Sequence, residues 1–157
     1  MLRHAKSSWK HPALSDHDRP LNKRGRRDAP RAGAFVRDSR LAPDLIISST
    51  ASRARSTADE VARCCAYNGA VTLEPRLYLA ELSAIVDVVQ GLGGDARTVL
   101  IVGHNPGVAG LVAQLTGQRE EFPTAALAQI QLPIATWTEL RGSTRGRLVN
   151  LWRAKDE

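Results

Sequence analysis

The sequence predicts an α/β domain of three layers around a mostly parallel central sheet. Two short, uninterrupted apolar runs, Leu45–Ser48 and residues 99–102, suit strands covered on both faces. Between and after them apolar residues recur at helical spacing, so strands and helices alternate along the chain. The 157 residues contain no repeat, low-complexity tract or linker, which predicts one domain over residues 1–157. A chain of that length buries roughly 70% of the surface its unfolded form exposes, enough for a core without disulfide or metal staples.

The elements follow in order. Only Met1 and Leu2 precede Arg3-His4, where a buried strand of about five or six residues is usual. A short first strand or a start codon slightly upstream accounts equally for this. A helix is expected over residues 22–39. Asn22 can cap it, but Pro30 then lies in the interior, where proline costs about 3 kcal/mol or more. Either the helix kinks near Pro30 or its main segment starts with Asp28 as cap, and a kink near Pro30 is the expectation. After the first apolar run, Ala51, Ala54, Ala58, Val61, Ala62 and Cys65 mark a second helix, capped by Ser49 or Thr50. Leu82, Ile85, Val86 and Val89 mark a third, ended by Gly91. Residues 106–115 form a fourth, with Asn105 as cap and Pro106 in the first helical position. Residues 127–132 and 148–152 alternate as strands.

Charge is unevenly placed. The chain has 22 Lys and Arg against 16 Asp and Glu, a net +6. Residues 1–40 hold eleven of the bases and only four of the acids, so the rest is close to neutral. Three of the four histidines, His4, His11 and His17, fall in that basic segment. A local basic field favours anionic partners. With aromatics at 4% and no zinc-finger or RNA-binding spacing, nucleic acid is not the expected partner. No apolar run approaches the ~18 residues of a membrane span, and no signal-peptide core is seen, so a cytoplasmic protein without membrane partners is expected. Cys64 and Cys65 are adjacent and read as small core residues rather than a bridge or zinc site. His11 and His17 read as exposed loop residues, Arg55 as solvent-facing, and Trp137 and Trp152 as packing residues.

Three segments put arginine and histidine at the carboxyl ends of strands beside helix N-termini, where α/β enzymes place their chemistry. They are Leu2-Arg3-His4-Ala5-Lys6-Ser7-Ser8, the stretch from Ser48 through Arg53 to Ala58, and Val102-Gly103-His104-Asn105-Pro106-Gly107. Two guanidiniums, two imidazoles and helix N-termini make a phosphoryl pocket without any metal. An arginine in a first helical turn opposes the helix dipole, and a bound anion would relieve that conflict at Arg53.

These segments resemble the histidine phosphatase superfamily, and within it the short SixA-type phosphohistidine phosphatases. The likeness extends to Trp9, to Asp18-Arg19-Pro20-Leu21-Asn22 with Gly25, to Thr57-Ala58 and to Pro123-Thr124-Ala125-Ala126. It implies the family's α/β/α sandwich, of phosphoglycerate-mutase-like fold. It also implies His4 as nucleophile flanked by Arg3, with Arg53 and His104 completing the phosphate pocket, and no cofactor. Neutral imidazole suits the first role, given a reference pKa of ~6.5.

The acid departs from the wider superfamily, whose phosphoester-cleaving members carry a glutamate in a Leu-x-Glu-like context. Here Leu77-Tyr78-Leu79-Ala80-Glu81 puts leucine in the aligned slot and Glu81 two residues on. Loss of an acid hurts departure of an alkoxide far more than departure of an imidazole. The substrate expected is therefore phosphohistidine in a protein. Small phosphoesters or other phosphoramidates are the alternative, and a non-catalytic phosphate- or phosphoprotein-binding module is a reading of another class. The loop from Trp9 to Leu21 is a candidate lid, which makes Asp16 and Asp18, besides Glu81, candidates for the acid or for ordering the lid. Lys6, Ser7, Arg19 and Asn105 are candidate phosphate contacts, and Thr124 is a candidate border residue.

Overall fold

The computed structural model describes residues 1–155, and the expected domain end at Glu157 lies outside them. Six strands form one sheet in the order β3-β2-β4-β1-β5-β6. They are β1 (Leu2–Arg3), β2 (Leu45–Ser48), β3 (Thr72–Leu73), β4 (Val99–Gly103), β5 (Leu127–Gln131) and β6 (Arg147–Trp152). The pairs β2/β3, β2/β4 and β1/β4 are parallel, whereas β5 runs antiparallel to both β1 and β6. The first strand, β1, comprises two residues of the given sequence. The two-residue edge strand β3 was not legible in the apolar pattern, because Thr72 and Leu73 are partly or wholly exposed.

Four helices cover the sheet: α1 (Lys23–Asp38), α2 (Ser52–Cys64), α3 (Leu82–Leu92) and α4 (Gly107–Thr116). Alternation within the strands sorts them into two layers. Ile46, Leu100 and Val102 pack with Ala32 and Val36 of α1 and Ala54, Ala58 and Val61 of α2. Ile47 and Ile101 point the other way, into Ile85, Val86 and Val89 of α3 and Val108, Leu111 and Val112 of α4. Cys65 joins the first cluster, and Trp137 and Trp152 pack at the core margins. Among the described residues no helix is long and apolar enough to cross a membrane.

Helix starts differ from expectation where side chains have other partners. α1 begins at Asn22, whose side chain accepts from the Gly25 N–H at 2.9 Å, and runs unbroken past Pro30. Asp28 is therefore not a cap: it is buried mid-helix, where Arg24, Arg27 and Arg31 surround its carboxylate at 3.4, 2.9 and 3.5 Å. For α2 the cap position is Ala51, with no side-chain bond, because the Ser49 and Thr50 hydroxyls face His104 and His17. α3 continues one residue beyond Gly91. α4 starts one residue later than expected, at Gly107, although the Asn105 side chain still accepts from the Ala109 N–H at 3.2 Å.

Two glycines set how closely these elements approach the strand ends. A Cβ on Gly25 would lie 2.1 Å from the Lys6 carbonyl oxygen, and one on Gly107 would lie 2.0 Å from that of Ala80. Both contacts are to backbone, so no side-chain rearrangement relieves them. α1 is thereby held against the segment that follows β1, and α4 against the segment that leads into α3.

Candidate active site

Strands β2, β4 and β1 are neighbours, and their pairing aligns Ser48 with Val102 and Arg3 with Gly103. Their carboxyl ends are therefore level, and the residues just beyond them, Ser49, His104 and His4, emerge at one edge. Arg53 joins them from the first turn of α2. Of the four residues expected to form the pocket, three touch: the His4 and His104 rings lie 5.1 Å apart between centroids, and Arg53 bridges them, while Arg3 acts on both rings through its charge. The Arg53 Nε–H faces His4 Nε2 at 3.3 Å and its Nη2 faces His104 Nδ1 at 3.4 Å.

A guanidinium only donates, so this arrangement assigns both tautomers. His4 Nε2 holds a lone pair, while Nδ1–H donates to the Ala5 carbonyl at 2.7 Å. His104 Nδ1 likewise accepts, and its Nε2–H donates to Ser49 Oγ at 2.7 Å. Ser49 Oγ also accepts from the Ala51 N–H at 3.2 Å. Burial, reinforced by the charges of Arg53, Arg3 and Arg19, pushes the His4 pKa down to about 4. Burial, with His4 and Arg53 nearby, pushes that of His104 down to about 3. Both rings are neutral at pH 7.

Asp16 lies in the middle of this cationic group. Arg53 Nη1 donates to its backbone carbonyl at 2.6 Å and Nη2 to Oδ2 at 3.0 Å, Tyr78 Oη–H donates to Oδ2 at 2.5 Å, and Arg19 Nε–H donates to Oδ1 at 3.1 Å. The Tyr78 hydrogen bond, followed by Arg53 and Arg19, holds the Asp16 carboxyl down at about 2 against the effect of burial. Arg3 Nη1 donates to the Phe122 carbonyl at 3.0 Å, while its Nε is buried with no partner among the described residues.

The other expected site residues divide. Arg19 is buried, and its Nη1 donates to Ser7 Oγ at 2.6 Å and to the Ser8 carbonyl at 3.3 Å. It pairs with Asp16 rather than with Asp18. The exposed Asp18 carboxylate bonds Ser15 Oγ and faces His17 Nδ1. Lys6 is exposed, and its backbone carbonyl accepts from the Asn22 N–H. Asn105 has both ends of its amide engaged, by the Phe122 carbonyl and the Ala109 N–H. Glu81 is exposed at the start of α3, and among the described residues no hydrogen bond or ion pair joins it to the four pocket residues.

Sequence reasoning missed three contributors. Thr57 Oγ1 accepts from the Ala5 N–H at 3.0 Å and donates to the Arg53 carbonyl at 2.7 Å, tying the His4 segment to α2. Its position four residues after Arg53 puts it on the same helix face, a signal that was available. His17 is not a free loop residue: its Nε2 bonds Thr50 Oγ1 at 2.8 Å and its ring meets Tyr78 edge-on. Tyr78 also meets the His104 ring edge-on, and nothing in its local sequence announces that contact.

The sheet and its helix layers are those of the histidine-phosphatase, phosphoglycerate-mutase-like fold. The model of the histidine phosphatase superfamily (branch 1) matches residues 1–84, and the chain belongs to that superfamily. It is accordingly a phosphatase, a hydrolase of phosphorylated substrates. It is 32% identical over 142 residues to an uncharacterised protein of Mycobacterium tuberculosis, covering 83% of this chain and 87% of that one. Among solved structures it is similar to a protein assigned as phosphohistidine phosphatase SixA from Agrobacterium tumefaciens. That match has 29% identity and a TM-score of 0.82, and covers 98% and 95% of the two chains. A second SixA assignment, from Nakamurella multipartitia, matches at 28% identity and a TM-score of 0.83, covering 97% and 92%.

Proposed function

We propose that residues 1–157 act as one phosphohistidine phosphatase domain, without a metal, through a phospho-His4 intermediate. The observation that carries this is the state of His4: its Nδ1–H is held by the Ala5 carbonyl, and its Nε2 lone pair faces the buried Arg53 guanidinium beside a second imidazole. Arg53 and Arg3 supply the positive charge and donors that a transferred phosphoryl group requires, with the neutral His104 ring beside them. The unpartnered Arg3 Nε–H fits the same reading, since an oxyanion would satisfy it. Among the described residues no cluster of His, Cys, Asp or Glu is arranged to hold a metal ion.

In this reading Arg53 exchanges Asp16 for phosphoryl oxygens as substrate enters. His4 Nε2 attacks phosphorus in line, the P–N bond of the substrate breaks, and its electron pair returns to the departing nitrogen. A substrate ring protonated on its other nitrogen then leaves as neutral imidazole, which needs no protein acid. Water attacks phospho-His4, the P–Nε2 bond breaks, and phosphate departs while the water proton passes to phosphate or solvent. The Tyr78 hydroxyl and Arg19 on its carboxylate keep Asp16 ionised and make it a poor acid, which supports imidazole over alkoxide as leaving group.

The test compares hydrolysis of a phosphohistidine peptide, an aryl phosphate and phosphoglycerate, with and without chelator, and traps the intermediate by rapid quench. Peptide preference, indifference to chelator and a label on His4 are expected, with turnover lost in His4→Ala and lowered by orders of magnitude in His104→Ala. Turnover surviving in His4→Ala removes the nucleophile. Preference for phosphoglycerate moves the substrate to small phosphoesters, and binding without turnover of any substrate leaves only a phosphate-binding module.

A further inference from the structure

We propose that the loop following the His4 segment is a docking surface for an acidic stretch of the phosphorylated protein substrate, centred on Trp9. This rests on the phosphoprotein reading of the site. Trp9 is 74% exposed, yet it is not loose. The Arg19 guanidinium lies 3.6 Å from its ring centroid, and Arg19 is itself buried and fastened to Ser7, Ser8 and Asp16. An indole already held in place loses little freedom when a partner covers it, the condition under which tryptophan contributes most to an interface. Leu14, in the same loop, is 43% exposed.

Charge selects the partner. Residues 1–15 contain no acidic residue. Lys6 and Lys10 in this segment and Lys23 at the start of α1 are exposed, and their ammonium groups hold no ion pair among the described residues. The base of the loop is pinned beside α1 by the Ser8 N–H to the Pro20 carbonyl at 2.8 Å and the Asn22 N–H to the Lys6 carbonyl at 2.9 Å. The surface therefore starts just after His4 and ends at Asp16, which touches Arg53. A phosphorylated side chain entering the pocket brings its neighbouring residues across Trp9, and acidic neighbours meet the lysines.

The experiment measures kcat and KM on two phosphohistidine peptides, one flanked by Glu and one by Lys, and on free phosphoramidate, at low and high salt. The wild-type protein favours the acidic peptide by about tenfold at low salt, and the preference shrinks as salt rises. Lys10→Glu and Leu14→Ser each raise KM for the acidic peptide and leave phosphoramidate turnover unchanged. Trp9→Ala raises the same KM, and Trp9→Phe restores most of it. Equal rates on the two peptides, or parallel losses on peptide and phosphoramidate in Lys10→Glu and Leu14→Ser, overturn the docking surface alone. Cleavage of phosphoramidate with no cleavage of either peptide removes the phosphoprotein reading and the docking surface together.

Discussion

Arg53 grips Asp16 at two points, its Nη1 on the backbone carbonyl at 2.6 Å and its Nη2 on Oδ2 at 3.0 Å, although 37 positions separate them. The guanidinium proposed to bind phosphate thus already holds an anion from the loop above it. Substrate and Asp16 share that cation, and the outcome of their competition is measurable.

Asp16→Asn removes the competing charge while keeping a side chain of the same shape. A hydrogen bond to a charged group contributes roughly 1.5–3 kcal/mol, less where solvent reaches it, as at Asp16. Inorganic phosphate should bind about five- to tenfold more tightly, as read by titration calorimetry. Weaker binding would show that Asp16 orients Arg53 instead of competing for it.

The two histidines make stability depend on pH in a defined direction. Their folded pKa values, about 4 and about 3, lie below the ordinary value of 6.5, so the unfolded chain takes up protons first as pH falls. Stability is full above about pH 6.5 and declines from there toward pH 4. A tenfold change in proton affinity corresponds to about 1.4 kcal/mol, so each ring accounts for a few kcal/mol at most. Thermal unfolding from pH 4 to 8 should show Tm rising with pH and flattening near 7, with a shallower rise in His104→Gln. Turnover that needs the His4 lone pair persists down to about pH 4.

Thr57→Val deletes a buried hydroxyl of nearly constant shape and leaves the Ala5 N–H without its acceptor. An unsatisfied buried donor costs about 1–3 kcal/mol, and Ala5 carries the carbonyl that sets the His4 tautomer. Both Tm and kcat should fall in Thr57→Val, and Thr57→Ser should recover both. A fall in Tm with kcat intact would separate Thr57 from the site.

Gly107→Ala forces a methyl into the Ala80 carbonyl, where only backbone movement makes room. Overpacking of this kind costs about 1–3 kcal/mol, and each kcal/mol lowers Tm by about 2–4 °C at this chain length. Differential scanning calorimetry checks the shift. An unchanged Tm would mean that α4 and the segment before α3 separate easily.

How far the chain could be read in advance depended on the kind of physics involved. The runs at β2 and β4 are buried on both faces, so their hydrophobicity is continuous and their limits are sharp. The start of α1 was ambiguous because Asn22 and Asp28 are equally good caps in isolation. Asp28 is buried mid-helix with Arg24, Arg27 and Arg31 of the same helix on its carboxylate, and this distinguishes them. Ser49 and Thr50 failed as caps for the same reason: each hydroxyl faces a histidine from elsewhere in the chain.

Local pattern was sufficient for the layered α/β architecture, because strand ends and helix starts are written in neighbouring residues, and the family resemblance of those segments singled out Arg3, His4, Arg53 and His104 as the expected pocket. Folding in three dimensions was needed for the rest: which imidazole nitrogen keeps its lone pair, that Asp16 rather than Asp18 or Glu81 enters the cationic group, and that Thr57 and Tyr78 belong beside it. Those outcomes rest on hydrogen bonds between residues dozens of positions apart, and such pairings leave no periodicity in the sequence.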